Sequence, residues 1–368
     1  MVNERRLNER DYALMERLML MKQPQVKKFL KQALLKYYTE DDLIASDDYI
    51  VAKGNIPIAV AAHMDTVWET SVGHEVFYDK KKNVMVNLRG GGYDDRVGCF
   101  MILKLLEFGY RPHVIFCADE EIGSLGAEKL VRTFTKFPFG DCNFIIMLDR
   151  RGINDCVFYD CENEEFEKYC ENFGFKTAWG SFTDICALCP AWGMAGVNFS
   201  VGYVDEHTPN EKLYVGVMFE TLKKVEQILS QPAEDIPFFN YIPSAYSYRG
   251  YGWNYIGKSG KSHHYWDYDY DDKHYTYGEG GWGYYDDEDI CWGCGKDLST
   301  VPEEDIVRVI DEQGFECAYC KDCAQKYVGY CTICGQPYEV DEKHSDRDVC
   351  PNCFYDMMYS ESEDPGEK

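Results

Sequence analysis

Five polar clusters hold side chains able to do chemistry: His63-Met64-Asp65, Asp94-Asp95-Arg96, Glu120-Glu121, Asp149 and His207. Carboxylates and imidazoles serve as metal ligands and as general acids or bases. Several carboxylates brought to neighbouring strand ends would repel one another unless cations stood among them. Two divalent ions would supply that charge. Mixed imidazole and carboxylate donors suit zinc, with cobalt or manganese as substitutes. Singly, each cluster has a plainer role. Asp94 can cap the helix that follows it, Asp149 can pair with Arg150 or Arg151, and His207 can sit in a solvated loop. What the plainer roles leave unexplained is that the clusters fall where apolar runs end, the ligand-binding edge of an open α/β sheet.

A second set is built of cysteine. Of 17 cysteines, nine lie between 291 and 353, and eight of these form four CxxC pairs: Cys291/Cys294, Cys320/Cys323, Cys331/Cys334 and Cys350/Cys353. Such pairs in a reducing compartment point to metal rather than disulfides. CWGCGK and CTICGQ continue with glycine, as zinc knuckles do, whereas CKDCAQKY and CPNCFYDMM run into helix-like text. The expectation is two structural zinc ions, each held by four thiolates. Cys317 also stands three residues before Cys320, a further CxxC spacing; the helix-like stretch favours Cys320 and Cys323 as ligands and Cys317 as a buried apolar residue.

Elements must position these groups. Helical spacing of Leu14, Leu18 and Met21, and of Phe29, Leu30 and Leu34, predicts helices over residues 1–45. Strands are predicted at 56–65, 84–88, 113–121, 144–152 and 197–203, with helices at 97–110, 126–137 and 212–229. That alternation predicts an α/β sheet with helices on its faces. Residues 241–285 hold 12 of the 29 tyrosines among Gly and Asp, with few aliphatic residues. They read as a linker without a core. The expected division is a catalytic domain at 1–235, a disordered linker at 236–290 and a zinc-binding domain at 291–368. The last two of these would be separable from catalysis, residues 1–235 being expected to fold and keep the site alone.

Charge excludes some functions. In 368 residues there are 64 acidic and 38 basic side chains, a net charge of -26. That field repels phosphate backbones, so no nucleic-acid partner is expected. The Cys-rich piece, with 18 acidic and 7 basic side chains, has no basic stripe either. A structural or protein-binding role is what remains for it. No apolar run reaches the ~18 residues of a membrane span, and the start MVNERRLNERDYALMERLMLM is too charged for a signal peptide. A cytoplasmic location is expected.

The five clusters, in chain order, resemble those of the co-catalytic zinc aminopeptidases and carboxypeptidases. The words are AHMDTVW, GYDDRVGC, DEEIGSLGAEKL, IMLDRRG and HTPNE. DDRVGC, EEIGSLGA and FTDICAL are similar to the glutamyl and deblocking aminopeptidase branch, AHMDTVW and DEEIG to the tripeptidase and acylase branch. The resemblance spans roughly 50–235. It implies a mixed sheet flanked by helices, the zinc-peptidase/phosphorylase-like fold. It also implies that His63 and Asp149 bind one metal, Glu121 and His207 the other, and Asp94 both. Asp65 would orient His63, and Glu120 would be the general base of a metal-dependent exopeptidase. A cis bond between Asp94 and Asp95 is implied too. Only 57 residues separate Asp149 from His207 and only 30 separate His63 from Asp94, too few for the inserted domains of these branches, so no lid domain is expected. Tyr203 is a candidate oxyanion donor in its place. The four CxxC pairs resemble tandem treble-clef, LIM-like fingers. Two further functions stay open from sequence: hydrolysis of N-acyl amino acids or small amides, and a non-catalytic zinc-finger adaptor.

Overall fold

The computed structural model describes residues 5–68, 76–87, 91–244, 291–292, 294, 296, 298, 300–310, 316–340, 349–350 and 353. Two helices open the chain, α1 (Glu9–Leu20) and α2 (Gln23–Leu34). The side chain of Asn8 caps α1 by accepting the Asp11 N–H at 2.7 Å. The helices expected to reach residue 45 stop at Leu34. Ser46 Oγ accepts the N–H groups of Asp48 and Tyr49, turning the chain between β1 (Leu43–Ala45) and β2 (Tyr49–Ala52).

The remaining elements follow as β3 (Ile56–His63), β4 (Val76–Asp79), β5 (Val84–Asn87), α3 (Tyr93–Glu107), β6 (Pro112–Cys117), α4 (Leu125–Thr133) and β7 (Phe144–Arg150). Then come β8 (Asp155–Val157), α5 (Glu164–Asn172), β9 (Lys176–Thr177), α6 (Ile185–Trp192), β10 (Gly196–Ser200), β11 (Tyr203–Val204), β12 (Lys212–Tyr214) and α7 (Val215–Leu229). An eight-stranded mixed sheet runs β1-β2-β6-β3-β7-β10-β8-β9. Its centre, β6-β3-β7-β10, is parallel. A mixed sheet flanked by helices is the expected architecture.

Both faces of the sheet are covered, so its central strands are continuously apolar. Ile58, Val60 and Ala62 face the side of α1, α3 and α7, while Ala59 and Ala61 face α4 and α6. Gly98 lets α3 approach β7: a Cβ there would lie 2.5 Å from the Leu148 carbonyl oxygen. Lys104 of α3 donates to buried Asp11 of α1 at 2.7 Å.

Three predicted elements are corrected. The strand expected over 84–88 joins a second sheet, β11-β12-β5-β4, instead of the main one. The strand from 113 ends at Cys117 because residues 120–124 form a turn closed by Gly123 N–H to Glu120 O at 2.9 Å. Residues 212–214 pair with β5 before α7 begins. The body of the fold runs on past residue 235: Ile236 and Phe239 are buried, and Pro243 bridges to Cys161. The linker expected at 236–290 falls, from 245 on, outside the described residues. No described helix is long and apolar enough to cross a membrane.

In the Cys-rich piece, β13 (Ile306–Ile310) and β14 (Glu316–Cys320) form a hairpin that leads into α8 (Lys321–Tyr327). β15 (Val328–Tyr330) pairs with β16 (Pro337–Glu339). The helix expected after Cys353 lies outside the described residues.

Candidate metal centre

Parallel β6, β3 and β7 are neighbours, so their carboxyl ends open on one edge. β3 ends in His63, with Asp65 two residues on; β7 carries Asp149. The chain enters α3 through Gly92, with φ 72°, and a cis peptide bond joins Asp94 to Asp95. After β6, Asp119 takes φ 57° and the following turn presents Glu120 and Glu121.

All seven predicted site residues meet here, arranged around Asp94. Its Oδ1 lies 3.2 Å from His63 Nε2 and its Oδ2 lies 3.3 Å from His207 Nε2. Asp149 Oδ1 is 3.4 Å from His63 Nε2, and Glu121 Oε2 is 2.8 Å from His207 Nε2. Two imidazole–carboxylate pairs therefore face opposite oxygens of one carboxylate. Glu120 Oε2 stands 4.0 Å from His63 Nε2. Donor atoms of His63, Asp94 and Glu121 lie within 4.8 Å of one another, as do those of His63, Asp95 and Asp149. Such clustering suits ligands that each approach an ion to ~2.0–2.2 Å. Asp95 is already engaged: its oxygens accept the N–H groups of His63 at 3.2 Å and Gly98 at 2.9 Å, tying β3 to α3.

Asp65 serves the neighbouring strand end. Its Oδ1 accepts the Glu120 N–H and its Oδ2 the Glu121 N–H, each at 3.0 Å. The same Oδ1 is 3.3 Å from His63 Nδ1, a close approach that falls short of a well-aligned hydrogen bond.

The electrostatics expose a shortage of positive charge. Burial pushes the Glu120 carboxyl well up, and Asp149 and Asp94 add to this. Burial, then repulsion from Asp94, raises Asp149 to about 7. Asp94 is held low: burial opposes ionisation, but hydrogen bonds with His207 and His63 outweigh it. Burial disfavours the charged form of His63, yet Asp149 and Asp65 drive its pKa well up. His207 is raised to about 10 by its hydrogen bonds to Asp94 and Glu121. Buried carboxylates that compete for two imidazolium protons are a donor set fitted to divalent cations, which would replace those protons.

Three supporting residues, Thr183, Asn198 and Glu211, are not among those predicted from the sequence, and Tyr203 takes a different place from the one expected. Thr183 Oγ1 donates to Asp149 Oδ2 at 2.7 Å. The amide of Asn198 accepts the Asp149 N–H at 2.9 Å and donates to its carbonyl at 3.0 Å. Glu211, almost fully buried, accepts the N–H groups of Gly92 and Asp94. Tyr203, considered as an oxyanion donor, is buried with its hydroxyl donating to Asp149 Oδ1 at 3.1 Å. Thr183 lies in FTDICAL and Glu211 in HTPNE, so the words carried the signal even though the residues were not singled out. Residues 150–206, all described, hold β8 to β11 with α5 and α6 between them and no lid domain.

The cysteine pairs converge as two groups, Cys291, Cys294, Cys320 and Cys323, and Cys331, Cys334, Cys350 and Cys353, the sulfurs of each lying within 4.8 Å of one another. The Cys320 N–H donates to Cys291 Sγ at 3.2 Å, and Gly335 takes φ 74° after the second knuckle. Four sulfurs so gathered fit one tetrahedral zinc each. Cys317 stands outside the first group, and its Sγ accepts from Arg17 Nη2 at 3.3 Å.

No protein-family model matches the chain, and no curated protein does. Among solved structures, the chain is similar to an aminopeptidase PepT from Bacillus cereus at 15% identity, over 59% of this chain and 96% of that one, with a TM-score of 0.44. It is similar to a tripeptidase from Staphylococcus aureus at 13% identity, over 64% and 100% of the two chains, with a TM-score of 0.47. A TET aminopeptidase from a marine-sediment thaumarchaeon aligns at 13% identity over 61% and 97%, with a TM-score of 0.48.

Proposed function

We propose that this chain is a metal-dependent exopeptidase of the aminopeptidase kind. The observation that carries this reading is the division of Asp94, whose two oxygens face separate histidines 3.2 and 3.3 Å away, each with its own carboxylate. In this reading His63 and Asp149 hold one zinc, Glu121 and His207 hold another, and Asp94 holds both. Cobalt or manganese would fit the same donors. When bound, such a pair lowers the pKa of water and polarises a carbonyl.

The chain's own side chains do the rest. Glu120 is the general base: its carboxylate takes a proton from the attacking water and passes it to the leaving amine. Asp65 fixes the backbone of Glu120 and Glu121 while facing the far nitrogen of His63. Thr183 and Tyr203 each hold one Asp149 oxygen. The eight cysteines would carry two structural zinc ions at residues 291–353.

A substrate panel tests the reading. Aminoacyl anilides, short peptides and N-acyl amino acids are incubated with the protein loaded with zinc, cobalt or manganese. Release of N-terminal residues is expected. Turnover of N-acyl substrates alone would make the chain an amide hydrolase instead. Absence of turnover with every metal would overturn the enzymatic reading and leave the adaptor.

A further inference from the structure

The Cys-rich piece touches the larger body at the junction of α1 and α2. The carbonyl of Trp292, next to the first knuckle cysteine, accepts from Gln25 Nε2. Gln25 Oε1 in turn accepts the Lys22 N–H at 2.7 Å, so one buried amide joins the junction to the knuckle. Arg17 lies over the Trp292 ring and the Phe29 ring, 4.9 Å from each centroid, and also donates to Cys317. The Trp292 N–H donates to the Ala318 carbonyl at 2.8 Å, tying the knuckle to β14, which delivers Cys320.

The same junction holds both arms of the candidate metal centre. Arg96 Nη1, one residue beyond Asp95, donates to the carbonyls of Leu18 at 2.7 Å and Met21 at 3.1 Å. Its guanidinium is buried, and these carbonyls lie in the last turn of α1 and just beyond. Gln23 Nε2 donates to Asp119 Oδ1 at 3.0 Å, on the residue immediately before Glu120. Residues 17–25 are thus gripped by the first cysteine group on one side and by the segments carrying Asp94 and Glu120 on the other.

We propose that the first cysteine group is an internal brace for the catalytic site. Metal bound by Cys291, Cys294, Cys320 and Cys323 seats Trp292 and Cys317 on the α1–α2 junction, and the seated junction holds the Asp94 and Glu120 segments in register. Emptying this group would loosen both segments, which lie far from it in sequence. Coupling of this kind is reciprocal, so a loosened junction weakens retention of the cysteine-bound metal. The brace itself rests on the contacts above; only its effect on turnover rests on the peptidase reading.

Hydrogen exchange on the full-length protein tests this, with metal content measured in parallel. The variants are C291S/C294S, which empties the group, and Arg17→Ala and Gln25→Ala, which keep every cysteine. Exchange over residues 92–96 and 118–121, the Asp94 and Glu120 segments, is expected to rise about fivefold to tenfold, the population change that one or two lost hydrogen bonds give. Gln23→Ala should free 118–121 alone. C331S/C334S should leave both segments protected. Wild-type exchange in both segments with the first group empty would overturn the brace, as would equal loosening by C331S/C334S. If C291S/C294S does not fold, Arg17→Ala and Gln25→Ala decide: unchanged exchange in both refutes the proposal. Increased exchange in a chain that hydrolyses nothing would remove the peptidase reading and leave the brace standing.

Discussion

Glu211 holds Asp94 by its backbone: the Glu211 carboxylate accepts the Asp94 N–H at 2.9 Å and the Gly92 N–H at 2.7 Å. A carboxylate can accept both, whereas a glutamine would turn an NH₂ donor toward one of them. Glu211→Gln is therefore expected to destabilise the fold by about 1–3 kcal/mol, the cost of an unsatisfied buried donor, in urea unfolding. It should also lower kcat by more than it raises KM, because it moves a residue that shapes the reacting site. A variant with wild-type kcat would show that Asp94 keeps its place without Glu211.

Glu120→Gln separates catalysis from binding. The amide cannot take up a proton, so turnover should fall ~10²–10⁴-fold. Glu120 is no ligand in the proposed arrangement, so two ions should still be bound to the site by elemental analysis. Retained turnover, with contaminating peptidase excluded, would assign the base elsewhere.

The histidines set a pH dependence for the metal-free protein. Hydrogen bonds to Asp94 and Glu121 raise His207 from 6.5 to about 10 in the folded chain. Its charged form is therefore favoured by folding. That stabilisation is complete below pH 6.5 and is lost as pH rises through about 10. Asp149, raised from 3.8 to about 7, acts in the same direction over the lower part of the range. The melting temperature of chelator-treated protein should fall between pH 6.5 and 10. In metal-loaded protein the decline should shrink, since bound ions take the place of the protons. A parallel decline in both forms would argue against ions at these histidines.

Metal content follows from the two kinds of donor. Whole protein should contain about four metal ions, two of them released by thiol reagents and two by chelators acting on the His and carboxylate donors. A count of two would mean that one constellation holds no metal.

The segment after α7 should matter for stability. Phe239 is buried, with its ring 4.8 Å from that of Phe166 and 5.2 Å from that of Tyr169. Phe239→Ala should cost about 3–5 kcal/mol in denaturant unfolding, the usual range for emptying a core phenylalanine site. A change below about 1 kcal/mol would mean that 236–244 adds little to the core.

The sequence by itself determined the strands that carry the chemistry. The apolar run ending in His63 and the one carrying Asp149 are legible because a strand covered on both faces needs an unbroken apolar stretch. The polar residues that follow then mark the open edge. The CxxC pairs are legible because ligand spacing within a knuckle is local. The tertiary structure decided what depends on distant partners. That Asp94 divides its oxygens between His63 and His207, that Thr183 and Tyr203 meet on Asp149, and that strand 84–87 belongs to a second sheet all depend on register and packing. The contact of Arg17 with Trp292 joins residues 275 positions apart. No periodicity records such a pairing, because the free energy that selects it arises only once both surfaces have formed.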